Sequence, residues 1–181
     1  MTITKSKTLN VDYFSYVKSF FNLMKPRVMS LVIFTCAVGL LIAPTKIEFT
    51  NIIFSLLAVA LGSGAAGALN MWYESDLDSL MTRTCLRPIP TGKVTKNQAL
   101  VFGILSSIIS VAALYIFSNL TAATILAITI LFYVFIYTIW LKRKTPQNIV
   151  IGGAAGALPP MIGWAIATDG ISLEPFILFL I

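Results

Sequence analysis

A chain of 181 residues with 57% hydrophobic and only 11% charged residues is too apolar to wrap around one water-soluble core, so the bilayer is its solvent. The net charge of +6 requires no nucleic-acid partner, because orienting membrane spans and meeting anionic headgroups account for it. Two cysteines, Cys36 and Cys85, give no disulfide framework or thiolate metal site, and the absence of histidine removes the commonest general base and metal ligand.

The opening segment lacks the short apolar run and small-residue cleavage pattern of a secretory signal. Tyr13, Phe14, Val17, Phe20, Phe21 and Met24 recur at helical spacing, which predicts an amphipathic helix lying on the membrane surface. A bilayer core about 30 Å thick takes about 20 apolar residues per helix. Uncharged runs of that order follow at Val28–Ala43, behind a helix-starting Pro26, and then at Asn51–Tyr73, Gln98–Phe117, Leu120–Leu141 and Asn148–Ala167. A sixth begins near Ile171 and stops at Ile181. A helix that ends in mid-run as PFILFLI is expected of a fragment. The expected fold class is an all-α integral membrane protein, a multi-span helical bundle with five complete spans and part of a sixth.

Basic residues near span ends are retained on the cytoplasmic side. Lys5, Lys7, Lys18, Lys25 and Arg27 precede the first span, Arg83, Arg87, Lys93 and Lys96 follow the second, and Lys142, Arg143 and Lys144 follow the fourth. The amino terminus and those two loops are therefore expected to face the cytoplasm.

The acids are placed unusually: Glu74, Asp76 and Asp78 lie within five residues, just after Asn70. If the second helix continues past Tyr73, positions 70, 74 and 78 fall on one face, drifting about 40° per step. An amide and two carboxylates in a row are hard oxygen donors suited to Mg²⁺, which takes one or two carboxylates together with substrate phosphates. Asp76 falls off the stripe and is expected to support or cap it. Arg83 and Arg87, again four apart, carry guanidinium forks that match phosphate oxygens. An ordinary solvated loop with balancing charges also accounts for this pattern.

Upstream, Gly62-Ser-Gly-Ala-Ala-Gly-Ala68 lines the helix with small residues, which permit close helix packing or leave room for a ligand. Tyr137, Lys142, Arg143 and Lys144 form a second basic group on the same side, which completes an anion site or serves only as a topology signal. Asn148 opens the fifth span, whose Gly152, Gly153, Gly156, Gly163 and Pro159-Pro160 predict a kinked or broken helix lining a cavity.

The stretch NMWYESDLDSLMTRTCLRPIPTGKV, beginning at Asn70, resembles the first aspartate-rich region of the UbiA prenyltransferase superfamily. YTIWLKRKTPQNIVIGGAAGALPPMIGW, from Tyr137, and KPRV, from Lys25, resemble its farnesyltransferase branch acting on protohaem IX; the similarity runs from about Asn22 to Ile181. The resemblance implies transfer of a farnesyl group from farnesyl diphosphate to a vinyl group of protohaem IX, giving haem O for terminal oxidases. It implies Asn70, Glu74 and Asp78 as catalytic metal-binding residues for Mg²⁺, with Glu74 standing where the family has aspartate. Arg83, Arg87, Tyr137, Lys142, Arg143 and Asn148 become substrate-binding residues. Residues 1–27 become a cytoplasmic amino-terminal segment and residues 28–181 an incomplete transmembrane prenyltransferase domain of a bacterial inner membrane. The family's second aspartate-rich motif does not occur in these residues, so activity from residues 1–181 alone is not expected. A haem A synthase is the partner protein that the resemblance suggests.

Two rival readings stand beside this one. A quinone-precursor acceptor would use the same metal site. A non-catalytic transporter subunit would line a path with the broken fifth helix and bind an ion at the acids; it predicts polar residues along the spans, whereas residues 98–141 offer only Ser, Thr, Asn, Gln and Tyr and no charge.

Overall fold

The computed structural model describes residues 13–45 and 47–180, so the basic residues Lys5, Lys7 and Lys46, and the terminal Ile181, lie outside the described residues. Every regular element among the described residues is helical: α1 (Tyr13–Leu23), α2 (Pro26–Ile42), α3 (Phe49–Leu80), α4 (Lys96–Phe117), α5 (Leu120–Leu131), α6 (Asn148–Ala157), α7 (Pro159–Thr168) and α8 (Leu173–Leu180). α5 runs on without a break into a π-helical segment, Phe132–Leu141.

Among the described residues, 49–80, 96–117, 120–141 and 148–168 are long and apolar enough to cross a membrane. α1 and α2, bent by 52° at Lys25, reach that standard only as a pair. α2 alone has 17 residues and rises about 26 Å, slightly short of a bilayer core. This is a multi-pass membrane protein, and its lipid-facing character is plain on α4, where Val101, Leu105, Ile108 and Ile109 are all exposed.

Close backbone approaches set the helix pairs. On α2 and α7, a side chain at Gly39 would meet the Pro160 carbonyl, and one at Gly163 would meet the backbone of Cys36 and Leu40. On α4, Gly103 lets Leu69 of α3 sit where a Cβ would be. The expected surface helix exists in part: Tyr13, Phe14, Val17 and Phe21 are exposed, but Leu23 is buried and Phe20 packs edge-on against Phe102. Met24 fills the space left by Gly64.

The fifth span is interrupted at Leu158, where Pro159 and Pro160 bring no N–H, yet its halves still form one 21-residue apolar stretch. The fourth departs from expectation differently, since a widened π segment replaces its last turns and continuous apolarity carries no signal for that.

Candidate functional site

α3 has 32 residues and rises about 48 Å, so its end projects beyond a core of about 30 Å. Counting about 20 residues from Phe49 brings Asn70 to the membrane boundary. The helix does continue past Tyr73, and the stripe forms: Asn70 is fully buried, while Glu74 and Asp78 are each 4% exposed. Asp76 points outward to solvent.

Each member of the stripe meets a cation from a different part of the chain. Lys25 donates to Asn70 Oδ1 at 2.5 Å, Lys142 Nζ lies 2.5 Å from Glu74 Oε1, and Arg87 Nη1 lies 2.7 Å from Asp78 Oδ2. Lys25 reaches inward from the bend between α1 and α2, where its φ of 53° is a left-handed conformation that a long side chain rarely adopts. Burial, reinforced by the nearby Arg87 and Lys142, pushes its ammonium down to about 8.

Arg87 is carried by residues 81–95, a series of tight turns pinned at both ends. Thr84 Oγ1 donates to the Asp78 carbonyl at 3.1 Å, and Ile89 and Val94 are buried against Leu23, Ala68 and Met71. Gly92, at a φ of +71°, makes the reversal before the Thr95 capping box opens α4.

Arg143 donates to the exposed Asp76 at 2.8 Å and lies over the Tyr73 ring, so the structure sets it outside the buried cluster. Arg83 is exposed and makes no ion pair among the described residues. Tyr137 flanks the cluster: the Lys142 ammonium is 5.6 Å from its ring, and the ring fills the space beside Gly152. Asn148 is half-buried at the first residue of α6.

Three residues of the cluster go beyond the sequence-derived set. Lys25 belongs to the KPRV stretch, and its position before a helix-starting proline was the available signal. Thr138 accepts from Asn70 Nδ2 at 3.1 Å and is fully buried, but one threonine among the four of an apolar span announces nothing. Thr84, holding the base of the loop, was equally silent.

Beneath this polar cluster lies a cavity of about 110 Å³. Lys25 and Gly67 line its polar end, and the rest of its wall includes Val28, Val32, Val59, Ala66, Leu126, Ile130 and Ile162. One cation, Lys25, therefore borders a mostly apolar interior. Among the described residues no three His, Cys, Asp or Glu side chains come together as an all-protein metal cage. Two carboxylates and an amide oxygen nevertheless fit Mg²⁺, whose remaining positions are taken by water and phosphate oxygens.

Residues 32–181 match the UbiA prenyltransferase family. The chain belongs to that family. It is 67% identical to a protoheme IX farnesyltransferase of Pelagibacter ubique, over 98% of this chain and 58% of the relative. The protoheme IX farnesyltransferase of Parvibaculum lavamentivorans is 57% identical over 91% of this chain and 52% of its own length. Protoheme IX farnesyltransferase 2 of Mesorhizobium japonicum is 56% identical over 90% and 52%. The chain thus spans little more than half the length of these relatives. No solved structure matches it.

Proposed function

We propose that this UbiA-family chain supplies a metal- and diphosphate-binding face of a protohaem IX farnesyltransferase, which joins the farnesyl group of farnesyl diphosphate to a protohaem vinyl group to make haem O. The observation that carries this reading is the cluster in which Lys25 meets Asn70, Lys142 meets Glu74 and Arg87 meets Asp78. Three cations against two carboxylates leave one positive charge at a partly buried site, beside an amide that cannot neutralise it. An anionic headgroup bound there relieves that imbalance, and the apolar cavity below suits a prenyl tail.

In this reading Asn70, Glu74 and Asp78 hold Mg²⁺, and Arg87, Lys142 and Lys25 turn from the carboxylates to the phosphate oxygens. The bound metal supplies positive charge that stabilises the departing diphosphate. The cations do the same from the protein side, where low dielectric strengthens them. As the allylic carbon–oxygen bond breaks, the apolar wall keeps water from the cation until the haem vinyl group attacks. Water then adds to the cation formed at the former vinyl carbon and releases one proton to bulk water, which completes the hydroxyethylfarnesyl substituent. No side-chain nucleophile is needed.

The proposed orientation places the stripe at the cytoplasmic face of a bacterial inner membrane, because the loops bearing Arg83, Arg87, Lys93 and Lys142–Lys144 are the basic ones. Residues 1–27 then form a cytoplasmic segment and residues 28–181 the membrane part of the prenyltransferase.

The test is a chimaera in which these 181 residues replace the matching region of the Pelagibacter ubique relative, assayed in membranes with protohaem, a quinone precursor and farnesyl diphosphate. Haem O is the expected product, and Asp78→Asn lowers its rate by at least about 100-fold. Undiminished haem O from that variant refutes the metal-site reading, and prenylation of the quinone precursor alone refutes the acceptor.

A further inference from the structure

Asn70 has an amide whose two ends are chemically opposite, and only its oxygen serves a cation. Three hydrogen bonds decide which end faces where. Lys25 donates to Asn70 Oδ1; Asn70 Nδ2 donates to Thr138 Oγ1 at 3.1 Å; and Thr138 Oγ1 donates to the Tyr133 carbonyl at 2.9 Å. The polarity is forced from both ends, because a carbonyl only accepts and an ammonium only donates. The Thr138 hydroxyl gives its one proton to Tyr133, so it can only accept from Asn70. The amide nitrogen must turn toward Thr138, and the oxygen must turn toward the cluster.

We infer that Thr138 is a positioning residue which fixes the Asn70 amide with its oxygen toward the cation-binding site. The π-helical segment makes this contact: within Phe132–Leu141, Thr138 reaches the carbonyl five residues back, and it is fully buried where it meets α3. Neither residue is exposed, so water cannot replace the hydroxyl as the acceptor for Asn70 Nδ2. The inference deepens the reading of Asn70 as a metal ligand and rests on it.

The experiment measures binding of inorganic diphosphate, with and without Mg²⁺, in lipid nanodiscs by the chimaera in which these 181 residues replace the matching region of the Pelagibacter ubique relative. Thr138→Val keeps the shape and removes the hydroxyl; Thr138→Ser keeps the hydroxyl. Thr138→Val is expected to weaken Mg²⁺-dependent binding about tenfold and Thr138→Ser less than about twofold, with similar melting temperatures for both. In an Asn70→Asp background, where both oxygens are acceptors and orientation is immaterial, Thr138→Val is expected to cause no further loss. Equal losses from Val and Ser, native binding by Thr138→Val, an undiminished loss in the Asp background, or failure of Thr138→Val to fold would each overturn the inference. If the unsubstituted protein binds no diphosphate with Mg²⁺, the metal-site reading itself fails; if it binds and Thr138→Val binds equally, only the positioning role falls.

Discussion

Arg87 Nη1 lies 2.9 Å from one carboxylate oxygen of Asp78 and 2.7 Å from the other, so a single guanidinium nitrogen is shared across the last acid of the stripe. The pair joins the end of α3 to the turns that follow it, with Asp78 almost fully buried and Arg87 about one quarter exposed.

Removing the two partners should therefore have unequal effects. Arg87→Ala leaves a carboxylate buried without its cation, a loss of about 3 kcal/mol or more. Asp78→Asn keeps an acceptor and leaves a cation that can reach solvent, so it should cost roughly 1 kcal/mol while removing a hard ligand. Thermal unfolding in detergent, read beside Mg²⁺-dependent diphosphate binding, should show Arg87→Ala as the less stable protein and both as weak binders. Equal melting temperatures would show that the pair is solvent-screened.

Lys142 and Arg143 are adjacent in sequence but separated in role. Lys142 reaches the buried Glu74, whereas Arg143 pairs with an Asp76 that is about half exposed. Exposed pairs are typically worth less than about 1 kcal/mol. Lys142→Ala should weaken diphosphate binding by about tenfold or more and Arg143→Ala by less than about threefold. A larger loss from Arg143→Ala would show that the guanidinium leaves Asp76 for the ligand.

The spacing of Asn70, Glu74 and Asp78 is legible because a four-residue repeat in a helix has only one geometric consequence, provided that the helix continues, as α3 does. The spans were legible for the same reason, since apolar length alone decides them. Lys25 and Thr138 were not, because their roles depend on α2 and the π segment meeting α3 at one height, a tertiary fact with no local period. Arg143 shows the converse. The sequence groups it with Lys142 by adjacency, whereas the structure turns Lys142 to the buried Glu74 and Arg143 to the exposed Asp76.

The approach of α2 to α7 offers a packing test. A Cβ on Gly163 would lie 2.8 Å from the backbone nitrogen of Leu40 and closer still to the Cys36 carbonyl, and neither backbone can move aside. A Cβ on Gly153 meets open space. Gly163→Ala should therefore destabilise the protein by about 2 kcal/mol or more, by analogy with overpacked cores. Gly153→Ala should be neutral or stabilise by up to about 1 kcal/mol through helix propensity. Unfolding of both variants in mixed micelles checks this, and a tolerant Gly163→Ala would mean that α2 and α7 can separate.

The cavity beneath the cluster can be separated from the charges above it. Ala66 is buried on α3 and lines the cavity, one residue before Gly67 at the polar end. Ala66→Phe puts a ring into space proposed for the prenyl tail and leaves Asn70, Glu74 and Asp78 unchanged. Burial of each methylene is worth about 0.8 kcal/mol, so displacing even two methylenes costs about tenfold in affinity. Farnesyl diphosphate should therefore bind at least about tenfold more weakly to Ala66→Phe, while inorganic diphosphate binds within about twofold of the unsubstituted protein. Competition binding in nanodiscs with the two ligands separates these outcomes. Parallel losses would place the ring's effect on the polar cluster, and unchanged farnesyl diphosphate binding would place the tail elsewhere, along the exposed apolar flank of α5.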